Sequence, residues 1–193
     1  MKIFNVNIII KLLIFLTIIF ASCRGDYFPK PYGYFRVELP DHQYQRVDTV
    51  LPYSFELSSM ANIKFKKKTN EKFWIDIVYP QLNATIYCSY KPVKNNIYIL
   101  SEDVHRSVYK HIVKADNILE NVYNNPKEKV FGVLYDLQGN VASVAQFVLT
   151  DSVNHFFMGA VYFNHVPNKD SIAPMAEYIK EDIVRLMDTF KWK

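Results

Sequence analysis

Val130-Phe131-Gly132-Val133-Leu134-Tyr135-Asp136-Leu137-Gln138-Gly139-Asn140-Val141-Ala142-Ser143-Val144-Ala145-Gln146-Phe147-Val148-Leu149 is the stretch from which the fold class can be read. Its two arms are dense in Val, Phe and Tyr, which favour a pleated, half-buried surface. Gln138-Gly139-Asn140 between them carries turn chemistry, so the stretch predicts a hairpin. His155 to Asn164 has the same composition and follows Thr150-Asp151-Ser152, which makes it a third pass of the same sheet.

Upstream, Tyr53 to Leu57 and Ala61 to Phe65 alternate over short spans. Phe73 to Tyr79 alternates more strongly, stops at Pro80, and Ala84 to Tyr90 follows across a tight connection. Between these strands and the hairpin the period changes. Ile97, Leu100, Val104, Val108, Ile112 and Ala115 recur at three and four, which predicts a helix over 97–116. Ser101, with Glu102 and Asp103 behind it, offers a cap for a shorter version. A closing helix is expected to open at Asp170 or Ser171. Its apolar stripe is Ile172, Met175, Ile179, Ile183, Leu186 or Met187, and Phe190, while Lys180, Glu181, Asp182 and Arg185 face water. Pro174 is then tolerable as a first-turn residue. Strands, helix, strands, helix give an α+β class, a mainly antiparallel sheet with two packed helices. The order of elements resembles that of PsbP- or Mog1-like sandwiches.

Residues 1–22 differ in kind from the rest. Lys2 gives a positive start, and Leu12 to Phe20 is an uncharged, strongly apolar stretch after Lys11. That fits a signal peptide and falls well short of the roughly 20 residues a membrane span needs. Small residues Ala21 and Ser22 precede Cys23. The junction Phe20-Ala21-Ser22-Cys23 resembles a bacterial lipobox, with Phe20 where Leu is usual. The resemblance implies that Cys23 is diacylated and becomes the new amino terminus, and two or more acyl chains hold a protein stably on a bilayer. The other reading is an ordinary secreted protein with Cys23 a half-cystine. Its single candidate partner, Cys88, alternates with Ala84, Ile86 and Tyr90 on one strand face and is expected to be a buried, inert thiol.

The chain therefore divides into a signal peptide (1–22), a lipidated leader rich in Pro and aromatics (23–40) and one α+β domain (41–193). Removing Lys2 and Lys11 with the signal leaves 21 cationic residues against 19 acidic ones, a net +2. That gives no case for nucleic acid. Lys64 and Lys66-Lys67-Lys68 form the one dense basic run and read as a hairpin tip, with contact to an anionic surface as the alternative. In the leader, Tyr27, Tyr32, Tyr34 and Phe35 sit beside the attachment point. They fit either a partner-docking strip at the membrane interface or a staple fixing the leader to the domain. Tyr and Phe together number 28, more than such a core was expected to bury.

Chemistry is sparse. The histidines are His42, His105, His111, His155 and His165. His105 and His111 are six apart, so they fall on different helix faces, and no pair has metal-ligand spacing. Glycine-rich phosphate loops, nucleophile elbows and Cys-x-x-Cys pairs are missing from the sequence. Asp76, Asp136 and Asp151 are the best acid candidates. Asp76 reads as a solvent-facing strand residue and the other two as hairpin-end residues. No catalytic, cofactor or metal site is assigned, no cofactor or small-molecule substrate is expected, and a non-enzymatic protein is.

Several blocks resemble the gliding-motility lipoprotein family GldD of Bacteroidota. They are Pro29-Lys30-Pro31-Tyr32-Gly33-Tyr34-Phe35-Arg36, Tyr109-Lys110-His111, Val113-Lys114-Ala115-Asp116, and Gly132-Val133-Leu134-Tyr135-Asp136 with Gly139-Asn140. Gly159 to Asn164, Pro167 to Ser171, Ala173-Pro174 and Thr189-Phe190-Lys191-Trp192 complete them. The resemblance implies a non-catalytic assembly or coupling component, lipid-anchored (palmitate being one such acyl chain), which docks envelope proteins of the gliding and type IX secretion machinery. Its expected place is the periplasmic face of the outer membrane, with the inner membrane as the other option. The competing readings are a peptidoglycan- or glycan-binding lipoprotein with aromatics lining the site, and a hydrolase built on His111, Asp136 and Asp151. Asp48-Thr49-Val50, Asp151-Ser152-Val153 and Asp170-Ser171-Ile172 resemble O-glycosylation acceptors of Bacteroidota exports, though Asp-Ser pairs also serve turns and caps.

Overall fold

The computed structural model describes Lys11 and residues 38–66, 72–164 and 168–193. Among the described residues two long helices and ten strands follow the order β1 (Tyr44–Val47), β2 (Tyr53–Ser58), β3 (Asn62–Phe65), β4 (Ile75–Tyr79), β5 (Ala84–Pro92), α1 (Ile97–Tyr109), β6 (Ala115–Asn125), β7 (Val130–Gly139), β8 (Ser143–Thr150), β9 (His155–Phe163), α2 (Lys169–Asp188) and β10 (Lys191–Trp192). The class is α+β, as the alternation of periods implies. A seven-stranded antiparallel sheet runs β3-β4-β5-β9-β8-β7-β6, and a small sheet runs β1-β2-β10.

Register assigns the two faces of the large sheet. Ile75, Cys88, Gly159, Phe147 and Leu134 lie in one cross-strand row, and Asp76, Tyr87, Ala160, Gln146 and Tyr135 in the next. The side-chain period of two sends these rows to opposite faces. The small sheet and α2 cover the first face, with an aromatic core between. Tyr53, Phe55, Phe157 and Phe190 are fully buried, and their rings meet with centroids 4.7 Å (Tyr53–Phe157), 5.5 Å (Tyr53–Phe190) and 5.2 Å (Phe157–Phe190) apart. Tyr79, Phe147 and Phe156 are also sealed from solvent. The core thus absorbs more of the aromatic content than composition suggested. Cys88 is a free, buried thiol, and burial pushes its ionisation up, so it is inert as expected.

Three strands depart from the sequence reading. The predicted helix over 97–116 ends at Tyr109; a turn over 110–114 follows, with Ile112 more than half exposed, and β6 begins at Ala115. Ser101 is therefore interior to α1, which is preceded by Asn96. β1 and β10 are the others, both short edge partners of β2. At the last helix Asn168 is the cap, its side chain accepting from the Ser171 N–H, so Pro174 falls beyond the first turn. Pro174 there leaves the Asp170 carbonyl without a helical donor.

The β8–β9 turn shows what Asp151 does. Its Oδ1 accepts the backbone N–H groups of Val153, Asn154 and His155 at 3.0, 2.8 and 2.8 Å. Burial works against the charge, but the three donors outweigh it and hold the carboxyl below its ordinary value. A depressed acid stabilises the fold above its unfolded pKa and loses that contribution as pH falls through the folded one. Asp151→Ala is expected to lose on the order of 1–2 kcal/mol at neutral pH. Urea midpoints measured from pH 7 down to pH 2 should fall more steeply for the parent than for the variant.

Candidate functional site

Cys23, Tyr27, Tyr32, Tyr34, Phe35 and His165 lie outside the described residues, as do Lys67 and Lys68 of the basic run. The hydrolase constellation can be placed. His111 sits in the turn after α1, where burial lowers its basicity. Asp136 is on β7 and pairs with Lys180 of α2, Nζ to Oδ1 at 2.5 Å. Asp151 caps its own turn. With Asp136 opposite Ala145 and Phe131 opposite Thr150, Asp136 and Asp151 are separated by about six residue steps, roughly 20 Å, along the ladder. The three do not converge. His105 instead stacks on Tyr109, with centroids 4.2 Å apart.

A cluster the sequence did not show lies where the chain enters the domain. Asp182, read as facing water, is 4% exposed. Its Oδ2 accepts from the Tyr79 hydroxyl at 3.0 Å and its Oδ1 is 2.8 Å from His42 Nδ1. The other ring nitrogen of His42 reaches Glu181 at 2.9 Å, and the ring stacks on Tyr178 with centroids 4.0 Å apart. Burial and the Asp182 carboxylate together push the Tyr79 phenol's ionisation well up. The arrangement is a clamp: one carboxylate fixes the segment before β1 to α2 and to the end of β4. Arg46 adds a bond to Ser54 Oγ at 2.6 Å and one to the Thr189 carbonyl at 3.1 Å. Asp182 had a signal that charge masked. It stands three residues after Ile179 and four before Leu186, inside the apolar stripe.

Charged grooves flank α2. One, of about 440 Å³, is lined by Tyr44, Asn121, Asp136, Lys180 and Arg185, among others. These residues carry both signs, a surface suited to a polar protein partner rather than a polyanion.

The opposite face of the large sheet, partly covered by α1, holds a third hollow of about 460 Å³. Ala160 is its floor, flanked along one row by Tyr87 and Gln146, with Asp76 beyond Tyr87. Asp76 was expected to face solvent. Instead its side chain is 15% exposed, its Oδ2 is 2.7 Å from Lys66 Nζ, and its Oδ1 has no hydrogen-bond partner among the described residues. Gln146 is 2% exposed and its Nε2 likewise finds no acceptor among the described residues. Each such buried group costs about 1–3 kcal/mol. The Tyr87 and Tyr162 rings form a tilted pair, 5.7 Å between centroids at 59°, and Trp74 lines the same hollow while its indole N–H is held by the Tyr90 carbonyl.

Among the described residues, no group of three or more His, Cys, Asp or Glu could hold a metal, and no helix is long and apolar enough to cross a membrane. A family model described as gliding motility lipoprotein GldD matches residues 24–192. No curated relative matches the chain.

Proposed function

Because the chain belongs to the gliding motility lipoprotein GldD family, we propose that it is a lipid-anchored, non-catalytic component that assembles or couples the gliding and type IX secretion machinery. It is an envelope lipoprotein of gliding motility by family. The anchor has one main support: a family described as a lipoprotein matches from residue 24, directly after Cys23, to residue 192. A lipobox-like junction at that point supports cleavage before Cys23 and acylation of its thiol. The aromatic leader with Tyr27, Tyr32, Tyr34 and Phe35 then lies next to the bilayer and serves as a docking strip for envelope proteins. The mixed-charge groove along α2 supports a protein partner on the domain itself. The periplasmic face of the outer membrane is the proposed location.

Cys23→Ala tests the anchor. Labelling by a fatty-acid analogue should disappear, the chain should leave the membrane fraction, and colony spreading should fail. Normal labelling with normal spreading would overturn the proposal.

A further inference from the structure

The hollow beneath α1 belongs to no part of the anchoring role. Its geometry nevertheless is that of a ligand site: an aromatic-lined concavity with a few convergent polar groups, of a size ordinary for small-ligand clefts. We propose that it binds a pyranoside carrying an acetamido group, the repeating unit of a cell-envelope glycan. Four features select this chemistry. Gln146 Nε2 is a buried donor in need of an acceptor, which an acetamido carbonyl supplies. Asp76 Oδ1 is a buried acceptor in need of a donor, which a sugar hydroxyl supplies. Lys66, 2.7 Å from the other Asp76 oxygen, neutralises that carboxylate, so the site favours a neutral ligand over a phosphate or a cation. Tyr87, Tyr162 and Trp74 present flat apolar rings for the C–H face of the sugar.

Spacing fits as well. Asp76 and Gln146 stand three strands apart in one row, about 14 Å between backbones. Ala160, the smallest side chain of that row, lies between Tyr87 and Gln146 and is the low point over which a sugar ring would sit. Buried polar groups in native proteins are almost always satisfied. Two orphans of opposite hydrogen-bonding sense in one hollow are explained together by one ligand.

The test uses the full-length lipoprotein in detergent, titrated calorimetrically and by saturation-transfer NMR with N-acetylglucosamine tetramer. Binding is expected, weakened tenfold or more by Tyr87→Ala, a residue 45% exposed, with an unchanged thermal midpoint. Gln146→Leu is expected to lose binding while raising the thermal midpoint, because it removes an unsatisfied donor. A merely structural glutamine would show the opposite change in stability. Purified wall glycan strands and the polysaccharide of lipopolysaccharide, run in parallel, assign the source of the sugar. Absence of binding to all three overturns the proposal, and so does binding that both variants leave intact. Cys23→Ala should bind as the parent does, so this site and the anchoring role fail independently.

Discussion

Asp182→Ala is expected to destabilise the protein by about 3 kcal/mol, because it leaves a buried phenol and an imidazole without their shared acceptor. The Tyr79 hydroxyl is sealed in the core and Asp182 Oδ2 is its acceptor at 3.0 Å. His42, attached through Oδ1, would also lose the contact that orients its ring on Tyr178. For a domain of this size the loss corresponds to a fall in Tm of roughly 6–12 °C. Asp182→Asn keeps a carbonyl acceptor and should lose about half as much. Calorimetric melting of the three proteins checks this. A wild-type-like Tm for the alanine variant would show that the carboxylate does not hold the cluster. A double-mutant cycle with Tyr79→Phe then measures the shared term. Coupling near zero would show that Tyr79 and Asp182 contribute separately.

Gly132→Ala is expected to have an effect at least as large. A Cβ at Gly132 would lie 1.9 Å from the Val148 carbonyl oxygen and 2.9 Å from Leu149 Cδ2. The first obstacle is backbone, so no rotamer change relieves it. β7 and β8 must move apart, which breaks the ladder between Gly132 and Leu149 and opens the sheet between two of its inner strands. The expected loss is more than about 3 kcal/mol, and soluble yield should fall sharply. Hydrogen exchange of β7 and β8 amides in any folded fraction locates the damage. Parent-like protection there would contradict it. Gly159 is a milder case, since its added Cβ meets the Phe147 ring at 2.4 Å and a side chain has more room to yield.

Strands that bury one face were readable from sequence; of the edge strands, β3 showed its alternation and β1, β6 and β10 did not. β7, β8 and β9 announce themselves because Val, Phe and Tyr fill both rows between two covered faces. β6 lies at the sheet edge, where β7 is its one ladder neighbour and most of its residues are exposed. Its stability comes from ladder hydrogen bonds, so alternation was not required of it. Ile118, Leu119, Val122 and Tyr123 recur instead at three- and four-residue intervals, as on a helix. β1 and β10 are too short to show a period at all. The candidate sites were legible in proportion to their locality. The lipobox-like junction is contiguous and could be read. The clamp joins residues 103 and 140 positions apart, and the hollow depends on the register of four strands. Neither leaves a local pattern, although the place of Asp182 within an apolar stripe was a usable hint.

The small sheet has a mechanical consequence. β2 is its middle strand, with β1, the first strand among the described residues, on one side and β10, Lys191–Trp192, on the other. Lys193 closes the ring by bonding Asp48 and the Thr49 carbonyl in the loop after β1. Were the chain tethered at Cys23 as proposed, tension would enter at His42 and Arg46 and pass into β2, α2, the end of β4 and the C-terminal strand. The seven-stranded sheet joins that path at the end of β4, through Tyr79 and Asp182, and at β7, through Asp136 and Lys180. A partner gripping α2 would then be pulled in series with the bilayer.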